Sequence, residues 1–240
     1  MTLGAAFPSS RAAPRRVRHI VFDLDGTLVD SRLQIVAILN EMLAERGCPT
    51  PIDLEAARPH MSAGGLHLVS TLLGSWCGDP EHELEEFRCR YRQAGTSPEA
   101  LFSGVSEGLE RLRAAGLSLG VCSNKPQNLC EKVLADTDLA QHFDVVIGET
   151  DGLRPKPEPD LLDAVLEALG ALPEQCLYVG DSELDHQVAA ARGIPFLFMT
   201  YGYANKDWTP EGCDTFDKFE DMAAAAIALQ SRPGLRLSNA

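Results

Sequence analysis

The chain has no apolar run approaching the roughly 18–20 residues needed to span a bilayer, so no helical membrane anchor is expected. Positive charge is scarce: 21 lysines and arginines against 35 aspartates and glutamates leave a formal net charge of −14. General attraction to nucleic acid or to an anionic membrane is therefore not expected. An anionic substrate would have to meet local cations, either side chains or a bound metal. Zinc-like spacing and Cys-x-x-Cys pairs are both missing from Cys48, Cys77, Cys89, Cys122, Cys130, Cys176 and Cys213. Their number is odd, and Cys122 and Cys176 fall in apolar, strand-like runs where buried thiols are common, which points to a reduced, cytoplasmic setting. His19, His82, His142 and His186 lack metal-ligand spacing. No internal repeat is present, and low complexity is confined to the two ends.

Those ends differ from the rest. The first 18 residues carry four arginines and no acid. Such a start is compatible with an organellar transit segment, but Pro8, Pro14 and the weak amphipathic periodicity favour a flexible basic leader over 1–17. Residues 231–240 read as a flexible tail.

At 240 residues, with 45% hydrophobic and 23% charged side chains, the chain has the composition of a globular protein. It is long enough for one large domain, or for one domain carrying an insert. Short apolar runs at His19–Phe22, Leu117–Cys122, Asp144–Ile147, Cys176–Val179 and Pro195–Met199 read as buried parallel strands. Helical patterns at Val105–Ala115, Gln127–Ala135, Pro159–Leu169 and Leu184–Arg192 separate them. This alternation predicts an α/β fold, a parallel sheet between two helical layers, with ligands bound beyond the carboxyl ends of the strands. Between Ser31 and about Ser97 the rhythm changes. Leu33, Val36, Ile38, Leu39, Met42 and Leu43 recur at helical spacing behind Asp30 or Ser31 as N-cap, and further helices are expected at Leu66–Leu73 and Glu81–Gln93. The predicted division is a discontinuous core, 18–31 and 98–230, around an all-helical cap at 32–97.

The first strand runs directly into Asp23-Leu24-Asp25-Gly26-Thr27. On extended backbone the side chains of Asp23 and Asp25 leave one face, about 6–7 Å apart, and Gly26 permits a sharp turn beyond them. Two buried neighbouring carboxylates are costly without a cation, and a hard divalent ion such as Mg²⁺ suits oxygen donors. A solvated turn capping the next helix is the plainer alternative.

The segment Phe22-Asp23-Leu24-Asp25-Gly26-Thr27-Leu28-Val29-Asp30-Ser31 resembles the first signature of the haloacid-dehalogenase superfamily. Three later segments resemble its remaining signatures, in order: Val121-Cys122-Ser123-Asn124-Lys125, Arg154-Pro155-Lys156-Pro157, and Val179-Gly180-Asp181-Ser182-Glu183-Leu184-Asp185. The resemblance implies a Rossmann-like core with a helical cap, and a Mg²⁺-dependent phosphatase acting through an aspartyl-phosphate. Asp23 would be the nucleophile and Asp25 the general acid and base. Ser123, the Asn124 backbone N–H and Lys156 would bind phosphate. Asp23, Asp181 and the backbone carbonyl of Asp25 would hold the metal, with Ser182 and Asp185 orienting Lys156 or metal-bound water. Asp25 argues against a dehalogenase, since expelling halide needs no proton and expelling an alkoxide does.

Each residue also has a plainer reading: Ser123 and Asn124 as helix caps, Lys156 as a loop lysine, Asp181 as an N-cap. The cap position and the segments Leu101–Val105 and Thr200–Tyr203 are similar to the phosphoglycolate-phosphatase branch, whose substrates are small phosphorylated metabolites. Alternatives are a phosphomutase of the β-phosphoglucomutase type, a small-molecule pyrophosphatase, and a non-catalytic binding module. Within the cap, Arg58, His60 and His67 are candidates for reading the leaving group. Tyr201, Tyr203 and Trp208 either rim the site or pack their loop.

Overall fold

The computed structural model describes residues 16–62, 64–205 and 207–231. Most of the basic leader and nearly all of the tail therefore lie outside the described residues.

Strand β1 (His19–Phe22) offers Ile, Val and Phe, side chains suited to a sheet covered on both faces. It lies inside the sheet, parallel to β2 (Ser118–Pro126) on one side and to β4 (Cys176–Gly180) on the other. Beyond β2 lies β3 (Val145–Glu149); beyond β4 lie β5 (Phe196–Met199) and β6 (Asp214–Phe216). The order is β3-β2-β1-β4-β5-β6, parallel throughout. The chain reverses direction across the sheet between β1 and β4, and a crevice is expected outside their carboxyl ends.

Among the described residues, four α-helices form the insert over 32–97 that follows β1: α1 (Arg32–Glu45), α2 (Leu54–Ala57), α3 (Gly65–Leu73) and α4 (Pro80–Ala94). The backbone entering and leaving this insert is stitched together, Asp30 N–H to Ala100 O at 2.7 Å and Phe102 N–H to Leu28 O at 3.2 Å. Ile38, Leu39 and Met42 of α1 pack with Val69 of α3 and Tyr91 of α4. Ser31 does precede α1, yet it makes no side-chain cap; the Arg32 N–H is taken by Asp30 Oδ1 at 3.3 Å.

Five further helices follow: α5 (Val105–Ala114), α6 (Gln127–Asp136), α7 (Asp160–Leu169), α8 (Glu183–Ala191) and α9 (Phe219–Ser231). Alternation along β1 sorts them into two layers. Ile20 and Phe22 join Leu109 of α5, Val133 of α6 and Phe219 of α9, whereas Val21 joins Val165 of α7 and Val188 of α8. Phe22 stacks on Phe219 with centroids 5.9 Å apart. Burying such a ring stabilises by about 1.5–3 kcal/mol.

Two expectations need correction. The strand edge β6 and the helix α9 were not anticipated. Strand β2 continues to Pro126, so Ser123 and Asn124 lie on strand and α6 starts only at Gln127. They are therefore not helix caps. No helix among the described residues is long and apolar enough to cross a membrane.

Candidate active site

Strand ends deliver the polar groups to one place. Asp23 directly follows β1, its N–H donating to Val179 O at 2.9 Å, so its backbone is fixed by the neighbouring strand. Its buried carboxylate accepts the Leu24 N–H at 2.7 Å and lies 2.9 Å from Lys156 Nζ. The Lys156 ammonium is also buried, 2.7 Å from Asp185 Oδ1, and donates to Cys122 O at 3.1 Å and to the Tyr178 hydroxyl at 3.3 Å. Asn124 fixes the lysine's backbone from both sides. Its Oδ1 accepts the Lys156 N–H at 2.7 Å and its Nδ2 donates to Lys156 O at 3.0 Å.

Asp181 directly follows β4 and is buried. Oδ1 accepts the Thr27 hydroxyl at 2.8 Å and Oδ2 accepts the Tyr203 N–H at 2.6 Å. Glycines wall this carboxylate. Gly26 holds φ at +86°, and a Cβ there would come within 2.3 Å of Asp181 Oδ2; one on Gly202 would come within 2.2 Å of Asp181 Cβ. Ser182 and Asp185 form the capping box of α8.

Asp23, Asp181 and Asp185 each bring an oxygen within 4.8 Å of the others. Asp185 is already engaged. Oδ1 accepts from Lys156 and from Tyr178 at 3.0 Å, and Oδ2 from the Ser182 hydroxyl at 2.6 Å and the Ser182 and Asp181 N–H groups at 3.1 and 3.3 Å. That leaves Asp23 and Asp181 as the carboxylates with capacity for a metal. Burial, reinforced by the charge of Asp185, pushes Asp23 up to about 7 against the pull of Lys156. The same causes hold Asp181 well above the usual carboxylate range. Burial also disfavours the Lys156 ammonium, but Asp185 and Asp23 outweigh it and the lysine stays charged. One buried cation does not neutralise three buried carboxylates. The all-oxygen donor set fits a hard divalent ion.

Asp25 faces a second lysine. Lys125 Nζ lies 3.0 Å from Asp25 Oδ1 and 3.2 Å from Oδ2, donates to the Tyr91 hydroxyl at 3.0 Å, and sits 4.3 Å from the Tyr91 ring centroid. Tyr91 belongs to α4, so this chain of contacts joins the helical insert to the strand ends. Ser123, whose Oγ accepts the Lys125 N–H at 3.3 Å, lines the same cavity as Asp23, Asp25, Asn124 and Lys125.

The sequence reading did not single out Lys125, Tyr91, Thr27 or Tyr178. Lys125 closes the Val121–Lys125 segment that resembles the second signature, and that position is the local signal that pointed to it. Arg58 and His60 stand outside the cavity wall, Arg58 on the far side of Gly202 from Asp181. Neither lines the cavity around Asp23; Arg58 Nη2 donates to Gly202 O at 2.5 Å, and the His60 ring lies 5.6 Å from that of His67. Trp208 packs against Phe198 and His186.

A model of the family "Haloacid dehalogenase-like hydrolase" matches residues 20–199, and the chain belongs to that family. A phosphoglycolate phosphatase of Xanthomonas campestris pv. campestris (strain 8004) is 36% identical over 194 residues, 80% of this chain and 87% of the relative. One from Rhodobacter capsulatus is 34% identical over 212 residues, 85% and 93% of the two chains. A haloacid dehalogenase-like hydrolase from Streptococcus pneumoniae superposes with a TM-score of 0.74 at 24% identity, over 87% of this chain and 98% of that one, a likeness of fold. With these relatives, the chain is a phosphatase of the haloacid-dehalogenase type.

Proposed function

We propose that the chain hydrolyses a small phosphate monoester of the phosphoglycolate kind, with Asp23 as nucleophile. The observation that carries this is the buried Asp23 carboxylate at 2.9 Å from Lys156 Nζ beside Asp181. A Asp23 carboxylate oxygen attacks phosphorus and the ester oxygen leaves, forming an aspartyl-phosphate. Asp25 protonates the departing alkoxide, then takes a proton from the water that hydrolyses the intermediate. Lys156 places fixed positive charge against the phosphate oxygens, while Ser123 and the Asn124 N–H donate to them. Asp185 would orient the lysine, and Ser182 would orient Asp185. Asp23, Asp181 and the Asp25 carbonyl would hold Mg²⁺, which neutralises charge between phosphate and carboxylate when bound. Residues 32–97 would serve as the cap that excludes water during transfer. A cytoplasmic setting suits the seven free cysteines.

The test is phosphate release by the purified protein over a panel of phosphometabolites, with and without Mg²⁺. Release that requires the ion supports the reading; an isomerised product without free phosphate points to a mutase instead.

Two predictions arise here. Saturating Mg²⁺, at about 100 times its Kd, should add roughly 2.7 kcal/mol, or about 5–10 °C in Tm. The gain should be larger at pH 8 than at pH 5, because Asp23 must be ionised to bind and its carboxyl titrates near 7. Scanning calorimetry at both pH values reads this, and equal shifts would count against Asp23 as ligand.

The second concerns Asp25. Lys125→Met removes the cation that fixes this carboxylate and should lower kcat by about 10–100-fold. Steady-state assays with a thermal melt separate that loss from unfolding. Unchanged kcat in a folded variant would leave Lys125 a structural role only.

A further inference from the structure

The helical insert contributes apolar side chains to the cavity wall, among them Met61, Leu68 and Phe87, and one charged side chain among the described residues, Arg88 of α4. Arg88 Nη2 donates to Glu149 Oε2 at 3.0 Å, and Glu149 stands at the carboxyl end of β3, on the sheet side of the opening. Both residues also line the neighbouring cavity that contains Lys156, so the pair sits where the two spaces meet. The pair is open to water, with the arginine side chain 28% and the glutamate 41% exposed. An ion pair so exposed stabilises little and is readily exchanged.

We propose that Arg88 is the specificity-determining residue for a second anionic group on the substrate, and that Glu149 is the carboxylate it releases when such a substrate enters. This rests on the phosphatase reading above and names its substrate class: small phosphate esters carrying a carboxylate or a further phosphate. Lys125 is committed to Asp25, and Lys156 to Asp23 and Asp185. A second negative charge set against the apolar wall would be costly without a partner, and Arg88 is the cation free to exchange one carboxylate for another. Its guanidinium can grip a planar carboxylate through two parallel hydrogen bonds, in place of the one that it makes with Glu149.

The experiment compares 2-phosphoglycolate with ethyl phosphate, which replaces the carboxylate by a methyl group. In the parent, KM should be lower for 2-phosphoglycolate. Arg88→Gln should raise that KM at least tenfold while leaving kcat and KM for ethyl phosphate unchanged. Glu149→Gln should lower it two- to fivefold, with ethyl phosphate again unaffected. Equal shifts for both esters, or none for 2-phosphoglycolate, overturn the proposal. Calorimetric binding of the two esters to Asp23→Asn protein, with and without Arg88→Gln, gives the same comparison without turnover. Phosphate release from both esters with no difference made by Arg88→Gln overturns this inference and leaves the phosphatase reading standing; no release from any ester overturns both.

Discussion

Asp23→Asn is expected to abolish turnover, by at least about 10⁴-fold, while making the metal-free protein more stable at pH 8. The activity loss follows from the nucleophilic role proposed for Asp23, because the amide has no ionised oxygen with which to attack phosphorus. The stability gain follows from linkage. Asp23 titrates near 7 in the fold against 3.8 for an unperturbed aspartate, so the folded state disfavours the ionised form. That penalty is absent below the unfolded value, grows as pH rises, and is complete above about 7. Asparagine never incurs it. Tm should therefore exceed the parent's by a few degrees at pH 8, and the advantage should vanish near pH 4. The same variant should lose most of the Mg²⁺-dependent gain. Phosphate-release assays and melts at both pH values measure all of this. Near-parental turnover would remove Asp23 from its role, and a lower Tm at pH 8 would mean that its charge is better compensated than the three-carboxylate cluster implies.

The strand ends that build the site were legible because each combines an apolar run with a polar residue that an isolated strand has no reason to carry. His19–Phe22 before Asp23 and Cys176–Gly180 before Asp181 are such runs, and they are neighbours in the sheet. What escaped detection lacked that contrast. Helix α9, with the sequence FEDMAAAAIALQS, carries four consecutive alanines and few large apolar residues, so periodicity is faint although alanine is the strongest helix former. Strand β6 is three residues, Asp-Thr-Phe, too short for alternation to register.

The supporting contacts were hidden for a different reason. Tyr203 holds Asp181 through its backbone N–H, and Tyr178 reaches Lys156 and Asp185 across the sheet, so neither role depends on local pattern. Arg58 and Arg88 show the same limit within the insert. Loop position favoured Arg58, but its guanidinium is spent on Gly202 O, beside Asp181. Arg88 looks like an ordinary surface arginine in the charged run of α4. Only the packing of α4 over the strand ends turns it toward the cavity.

Lys156→Met should cost both activity and fold. Within the buried cluster the ammonium lies 2.9 Å from Asp23 and 2.7 Å from Asp185. Its raised pKa keeps it charged well past neutrality, so its own titration adds no pH dependence between pH 5 and 9. Removing one partner of a buried pair costs about 3–5 kcal/mol, which for a chain of this size is a fall of roughly 6–20 °C in Tm. The loss should be larger at pH 8 than at pH 5, where protonation of Asp23 relieves part of the uncompensated charge. Adding Asp23→Asn to Lys156→Met should therefore restore several degrees at pH 8. Thermal melts of the two single variants and the double variant close the cycle. If the double variant is no more stable than Lys156→Met alone, charge compensation does not explain the lysine, and its packing against Cys122 and Tyr178 does.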